Sequence, residues 1–269
     1  MITLELDVKD LNVLITGGTS GIGLAISKAF LNKGANVINW DLHISSEVQD
    51  LCNNYPTQYT FYTMDVTDET AIQKAKKLVP MRLDVLVNNA GIIIKSLLEE
   101  IESEDWDRIY NINVKGTMLT TKHLVSKLKN SKRGRIINLA SMTSKIGLET
   151  YSLYSSTKAA VANLTKVWAL ELAPHEITVN ALCPGWVDTP MKEGLIQGIA
   201  RIHRTSPEEA ETLIQNHIPQ KRFIQPAEIA FTCLFLASPL AKGINGQELY
   251  IDTGLTNMFT PGVHLKQIE

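Results

Sequence analysis

The sequence predicts an α/β fold built on a parallel sheet, and three observations predict it. Short β-branched runs alternate with longer amphipathic stretches along the 269 residues, the pattern of strand–helix–strand crossovers. Several runs are apolar throughout, as strands covered by helices on both faces must be. A glycine-rich turn, "ITGGTSGIG" (15–23), joins the first strand to the first helix, where Rossmann-type sheets carry one. The expectation is a single domain over residues 1–269, a doubly wound parallel sheet of about seven strands with helices on both faces.

The strands are "LNVLIT" (11–16), "ANVINW" (35–40), "QYTFYT" (58–63), "LDVLVN" (83–88), "RIINLA" (135–140), "ITVNAL" (177–182) and "QELYI" (247–251). Helical patterns fall between them, at about 21–33, 45–54, 68–79, 104–130, 154–173 and 226–237. No linker, repeat or low-complexity stretch divides the chain. The rhythm breaks once, between Asp188 and Arg222, where no strand candidate occurs. Within it "SPEEAETLIQNH" (206–217) carries a helix start, with Ser206 as N-cap, Pro207 at N1 and Glu209 at N3. Long excursions inside compact domains serve as lids or binding loops, so residues of about 188–222 are read as a helical substrate lid; the alternative is a passive surface insertion.

Composition excludes several classes. The chain is 44% hydrophobic and 20% charged, with a net charge of −2, which is ordinary for a globular protein. The basic cluster "KLKNSKRGR" (127–135) suits a helix C-terminus and the turn after it, so no nucleic-acid partner is expected. No apolar run approaches the roughly 20 residues of a membrane span, and the N-terminus lacks the pattern of a signal peptide. Cys52, Cys183 and Cys233 are odd in number and lack metal-knuckle spacing, and the six histidines form no cluster. Reduced thiols, no metal and a cytoplasmic location are the expectation.

The glycine turn points to a dinucleotide. Gly17, Gly21 and Gly23 have the spacing G-x-x-x-G-x-G. Glycines there permit a tight turn and let a pyrophosphate approach main-chain N–H groups at a helix N-terminus. Asp41 ends the second strand some 20 residues later, where an acid accepts hydrogen bonds from the adenosine ribose hydroxyls. A 2′-phosphate would meet its negative charge. Thr19 and Ser20 stand where a phosphate-binding Arg or Lys would be needed, so NAD is favoured over NADP.

Tyr154 and Lys158 share one face of the helix at 154–173, being four residues apart; Tyr151 has only Ser155 at that spacing. Tyrosine titrates near pH 10, so using it as a base at neutrality means closing about 3 units, or about 4 kcal/mol. A cation about 4 Å away at an effective dielectric of ~20 supplies a similar amount. Such a pair suits proton exchange with an alcohol or ketone oxygen. By itself the spacing is equally that of a surface Tyr and Lys.

Taken with "TGGTSGIG" (16–23), Asp41, "MDVT" (64–67), "NNAG" (88–91), "NINVKG" (111–116), "INLAS" (137–141), "YSSTK" (154–158) and "PGWVDTP" (184–190), the chain resembles the short-chain dehydrogenase/reductase family over essentially its whole length. The resemblance implies hydride transfer between a nicotinamide and a secondary alcohol or ketone. It casts Tyr154 as general acid/base and Lys158 as the group that lowers its pKa and holds the nicotinamide ribose. Ser141, thirteen residues before Tyr154, would bind the substrate oxygen, and Asn113 would support a proton-relaying water. Cofactor contacts are implied for Gly17, Thr19, Ser20, Gly21, Ile22, Gly23, Asp41, Asp65, Val66, Asn89, Ala90, Gly91, Pro184, Gly185, Val187 and Thr189, besides Tyr154 and Lys158. "DTG" (252–254) departs from the family's usual D-G-G and puts a turn in doubt, not the chemistry. Family members commonly form dimers and tetramers, and the helix at 154–173, apolar on more than one face, fits a homodimer or homotetramer.

Ile93, Met142, Thr143, Leu148, Tyr151 and Trp186 are the expected substrate lining, with an apolar cast. Lys95 and Lys145 are read as solvated loop residues. Resemblance to 3-hydroxybutyrate dehydrogenases and polyketide ketoreductases leaves a 3-oxoacyl thioester, or another ketone with an apolar arm, ahead of a short hydroxy acid, because isoleucines, Thr143 and Tyr151 stand where the former group binds a carboxylate. Sugar alcohols and steroids remain open, as does a non-catalytic role in sensing NAD(H) or holding a partner.

Overall fold

The computed structural model describes residues 6–257. Seven strands form one parallel sheet in the order β3-β2-β1-β4-β5-β6-β7. They are β1 (Asn12–Thr16), β2 (Asn36–Asp41), β3 (Tyr59–Thr63), β4 (Val85–Asn88), β5 (Arg135–Leu139), β6 (Thr178–Pro184) and β7 (Glu248–Ile251). Strand order reverses at β1, which pairs with both β2 and β4. In register, Thr16 of β1 lies beside Asn88 of β4, so the chain leaves both strands at the crevice where doubly wound sheets bind ligands.

Alternate residues of each strand enter opposite layers. Val13, Ile15, Val37, Val85, Val87 and Ile137 pack with α1 (Gly21–Asn32), α2 (Ser46–Asn54) and α9 (Pro226–Ala237). Leu14, Ile38, Trp40, Leu86 and Ile136 pack with α3 (Glu69–Ala75), α5 (Thr117–Leu128) and α6 (Ser152–Leu172). A period of two with both faces buried is why these strands read as continuous apolar runs.

Three elements differ from the sequence reading. The helix expected over 104–130 is α4 (Ser103–Tyr110) and α5 joined by a wider, π-type turn at Asn111–Gly116. Asn113 lies in that turn and its amide is drawn into bonds outside the helix, a common setting for such bulges. Helix α6 begins at Ser152, so Tyr154 lies in its first turn. Between β6 and α9 two helices occur, α7 (Pro190–His203) and α8 (Pro207–His217), where sequence pointed only to the second. The glycines at 194 and 198 weaken the helical pattern of α7. The capping box of α8 forms as expected: Ser206 Oγ accepts from Glu209 N at 3.2 Å and Glu209 Oε2 from Ser206 N at 3.3 Å. Ile196, Ala200 and Ala210 give α7 and α8 a small apolar cluster of their own. A bridge between Val187 and Ile224 closes the base of this excursion.

Candidate active site

A single cavity of about 1300 Å³ runs along the C-terminal ends of the strands. One half is walled by main chain. Gly17 has φ +67°, a conformation glycine adopts without strain, and its N–H donates to Trp40 O at 2.8 Å. Asn89 Nδ2 donates to Gly17 O at 2.6 Å and to Thr16 O at 3.1 Å. Thr16 Oγ1 accepts from the N–H groups of Asn89 and Ala90, each at 3.1 Å. These bonds stitch the turn after β1 to the turn after β4. Gly23 lies so close beneath that a Cβ there would sit 2.1 Å from Gly17 O.

The start of α1 carries no acid in its first turn, and its N-cap Ser20 makes no side-chain cap. Ser20, Gly21 and Ile22 face the cavity, so the first N–H groups of the helix are left for an anion. Asp41 stands beside them. Its Oδ2 accepts from Thr19 N at 3.0 Å and Thr19 Oγ1 at 2.7 Å, and its Oδ1 from Leu42 N at 2.7 Å. The carboxylate is thus fixed at the cavity wall. An uncapped helix start beside a fixed acid fits the pyrophosphate and ribose of a dinucleotide. Asp65, Val66, Asn89, Ala90, Gly91, Pro184, Gly185, Val187 and Thr189 line the same half. Gly23 does not; it packs behind the turn.

Tyr154, Lys158 and Ser141 come together in the middle of the cavity. Lys158 Nζ lies 5.5 Å from the Tyr154 ring centroid and donates to Leu139 O at 2.7 Å. Withdrawal from water drives the two groups apart: it pushes Tyr154 up to about 12 and Lys158 down to about 8. A hydrogen bond with Ser141 pulls Tyr154 back only in part. Burial therefore sets the direction of the Tyr154 shift in the protein alone, with Ser141 as the group that opposes it. Ser141 Oγ accepts from Thr143 N at 3.2 Å and Thr143 Oγ1 at 3.1 Å, which orients its own hydrogen away from Thr143 and leaves it to donate.

Asn113 is buried outside the lining. Its Oδ1 accepts from Ile92 N at 2.8 Å, and its Nδ2 donates to Ile92 O at 2.9 Å and Thr157 Oγ1 at 3.0 Å. Both amide hydrogens are used, so the side chain anchors the loop after β4 to α6.

The other half is walled by side chains on loops. Ile93, Met142, Thr143, Tyr151 and Trp186 line it as expected. Leu148 does not: it is half-buried in its own loop, where its carbonyl accepts from Tyr151 N at 3.2 Å. The Tyr151 ring meets Tyr154 and Trp186 edge-on, with centroids 6.1 and 6.4 Å away. Met191, Lys192 and Leu195 of α7 and Phe223 also line the cavity and escaped the sequence reading. Lys95 is exposed, as expected of a solvated loop residue, and also reaches the cavity, with Nζ 5.0 Å from the Tyr151 ring centroid. Lys145 lies off the cavity, over Tyr250.

A protein-family model described as enoyl-(acyl carrier protein) reductase matches residues 17–256. The chain belongs to the short-chain dehydrogenase/reductase family. Membership makes it an oxidoreductase of the secondary alcohol/ketone class. It is 38% identical to the 3-oxoacyl-[acyl-carrier-protein] reductase FabG of Thermotoga maritima, covering 90% of this chain and 96% of that one. It is 33% identical to the NAD-dependent glycerol dehydrogenase of Listeria innocua, covering 94% and 96%. Among solved structures, an actinorhodin polyketide ketoreductase variant with NADPH matches at TM-score 0.86 and 33% identity, covering 93% of this chain and 98% of that one. No helix among the described residues is long and apolar enough to cross a membrane.

Proposed function

We propose that the chain interconverts a ketone and a secondary alcohol by NAD(H)-dependent hydride transfer, with Tyr154 as proton donor and acceptor. One observation carries this: Tyr154, Ser141 and Lys158 share a cavity with an uncapped helix start and a fixed Asp41. When bound, the oxidised nicotinamide supplies a hydride acceptor and a second positive charge. Ser141 Oγ and Tyr154 Oη hold the substrate oxygen, and Lys158 holds the nicotinamide ribose while its charge favours the phenolate. Asn113 keeps the loop after β4 in place.

Magnitudes say which protonation state is ready. From about 12 to neutrality is about 7 kcal/mol, and one cation 4–5 Å away supplies roughly 3–4 kcal/mol at an effective dielectric of ~20. Tyr154 therefore stays protonated at neutral pH, the form that ketone reduction consumes. Ketone reduction is expected to run flat through roughly pH 6–8, while alcohol oxidation climbs with pH as the phenolate fraction grows. Paired profiles of kcat/KM in the two directions check this; an oxidation rate that falls with rising pH below about 8, where Lys158 keeps its charge, would exclude Tyr154 as the base.

Asp41 supports NAD over NADP, because an adenosine 2′-phosphate would meet its carboxylate. The relatives differ on this point, one being named NAD-dependent and one solved with NADPH. Ile93, Met142, Trp186 and Phe223 support a ketone with an apolar arm, and the relative named as a 3-oxoacyl reductase makes a 3-oxoacyl thioester the first candidate. Met191, Lys192 and Leu195 support a lid role for α7. Exposed Val167 and Leu170 on α6 support a homodimer or homotetramer, and three free thiols fit the cytoplasm.

The test is NADH and NADPH oxidation with a panel of 3-oxoacyl thioesters, acetoacetate, a ketose, a steroid ketone and a decalone, beside Tyr154→Phe. Turnover with NADH is expected to fall by about 10²–10⁴ in the variant, with NADH binding unchanged. Full turnover by Tyr154→Phe would overturn the mechanism.

A further inference from the structure

Four cations line the cavity: Lys95, Arg108, Lys158 and Lys192. Lys158 donates to Leu139 O. Lys192 is paired twice, with Asp188 at 2.7 Å and Glu211 at 2.8 Å, and lies over the Phe223 ring at 4.7 Å. Arg108 makes no ion pair among the described residues, but it stands on α4 beside Asp107 and one turn after Glu104, two acids that face the same space. Lys95 makes no ion pair either, and neither of its flanking residues, Ile94 and Ser96, is an acid. Among the described residues its Nζ is within reach of the Tyr151 ring face, 5.0 Å from the centroid, and no acid neutralises it.

Its setting is specific. Lys95 follows the loop that Asn113 clamps through Ile92, and the next residue is tied across the cavity mouth, Ser96 N donating to Thr150 O at 3.0 Å. Both walls at this point are therefore held, and Lys95 is carried at the rim by a braced loop. Tyr151 beneath it is buried and touches both Tyr154 and Trp186. The ammonium is thus two ring contacts from the reacting position, at the loop end of the same cavity. Lys95 is exposed as a residue, and the packing on one side of its ammonium lowers its pKa, with no anion to restore it. The ring face satisfies one side of the cation; the donors on its other side remain for a ligand.

We infer that this rim is an anion subsite, in which Lys95 pairs with a carboxylate or phosphate that the substrate carries away from its reacting carbon. This rests on the ketone–alcohol reading and narrows it: the apolar wall accommodates a spacer, and the spacer ends in a compact oxyanion. Lys95 is then a specificity-determining residue that acts on binding and leaves hydride transfer unchanged.

The experiment compares matched charged and neutral ketones. The probes are 4-oxopentanoate and 5-oxohexanoate against their methyl esters, and dihydroxyacetone phosphate against dihydroxyacetone. Calorimetric binding to the NADH-loaded protein and NADH oxidation are both measured, for the wild type, Lys95→Met, Lys95→Arg and Tyr154→Phe. The inference expects at least one anionic probe to bind about tenfold better than its neutral partner. Lys95→Met should erase that preference through KM with little change in kcat, and Lys95→Arg should retain it. The carboxylate and phosphate arms identify which oxyanion fits. Equal binding of charged and neutral partners, equal losses for both in Lys95→Met, or no binding of any anionic probe would each overturn the subsite. Failure of the ketone–alcohol reading looks different: the anionic probe binds in a Lys95-dependent way, yet neither wild type nor Tyr154→Phe oxidises NADH with it.

Discussion

The strand-end half of the cavity is walled by main chain, and the loop half by side chains. In the first, the carbonyls of Thr16 and Gly17 and the N–H of Ala90 are tied at fixed distances by the Asn89 amide and the Thr16 hydroxyl, with Gly23 packed against Gly17 O. In the second, Ile93, Met142, Tyr151, Trp186 and Phe223 sit on loops whose course depends on a few cross-links, such as Asn113 to Ile92 and Ser96 to Thr150. Main chain is common to every residue type, so the first half suits a constant ligand. Side chains on loops can change without moving the sheet, so the second half is where specificity is set.

The largest effect is expected from one methyl group placed in the main-chain half. In Gly23→Ala the new Cβ would lie 2.1 Å from Gly17 O, which is main chain, and 2.6 Å from Asn89 Nδ2, a side-chain amide held by its bonds to Thr16 O and Gly17 O. The turn must move. The expected cost is at the upper end of, or beyond, the ~1–3 kcal/mol of overpacking, a drop of several degrees in melting temperature, with weakened NADH binding. Thermal unfolding and a fluorescence titration with NADH check both. An unchanged melting point and affinity would mean that this half is not the rigid element.

The same contrast explains what could be read from sequence. Gly17 is legible because its φ of +67° restricts the residue type, and Tyr154–Lys158 because helical spacing brings them onto one face. The doubly wound sheet was legible because Leu14 enters one layer and Val13 and Ile15 the other. Leu148 was misplaced, and the reach of exposed Lys95 to the cavity was missed, because nothing local dictates where a loop aims its side chains; the bond from Ser96 to Thr150 joins segments far apart in sequence. The π-type turn at Asn113 escaped because apolar periodicity survives one wide turn. Helix α7 escaped because its glycines look like breakers, while its partner α8 announces itself by a capping box.

A smaller effect is expected at the boundary between protein and cofactor. Asp41→Ser removes the negative charge that a 2′-phosphate would face and loosens Thr19, whose N–H and hydroxyl both bond to that carboxylate. The kcat/KM ratio of NADPH to NADH should rise by about tenfold, equivalent to about 1.4 kcal/mol, with the substrate preference unchanged because Lys95, Tyr151 and Trp186 lie elsewhere in the cavity. A shift in ketone preference without a shift in cofactor ratio would show that the two halves are coupled.

The smallest expected effect tests the loop half directly. A Cβ at Gly198 meets nothing within 4 Å, whereas Ile196 and Ala200 on either side are buried in the small cluster shared with α8. Gly198→Ala should therefore stabilise α7 by roughly 0.5–1 kcal/mol, the ordinary gain from replacing a helical glycine. The opposite sign from Gly23→Ala follows from geometry alone: the same methyl group is added, in one case against main chain and in the other into open space. Amide hydrogen exchange across residues 190–203 should slow, and NADH affinity should stay constant. If α7 opens and closes over the cavity, stiffening it lowers kcat as well; a stabler α7 with constant kcat makes it a fixed wall, and specificity then rests on the loops at 92–98 and 142–151.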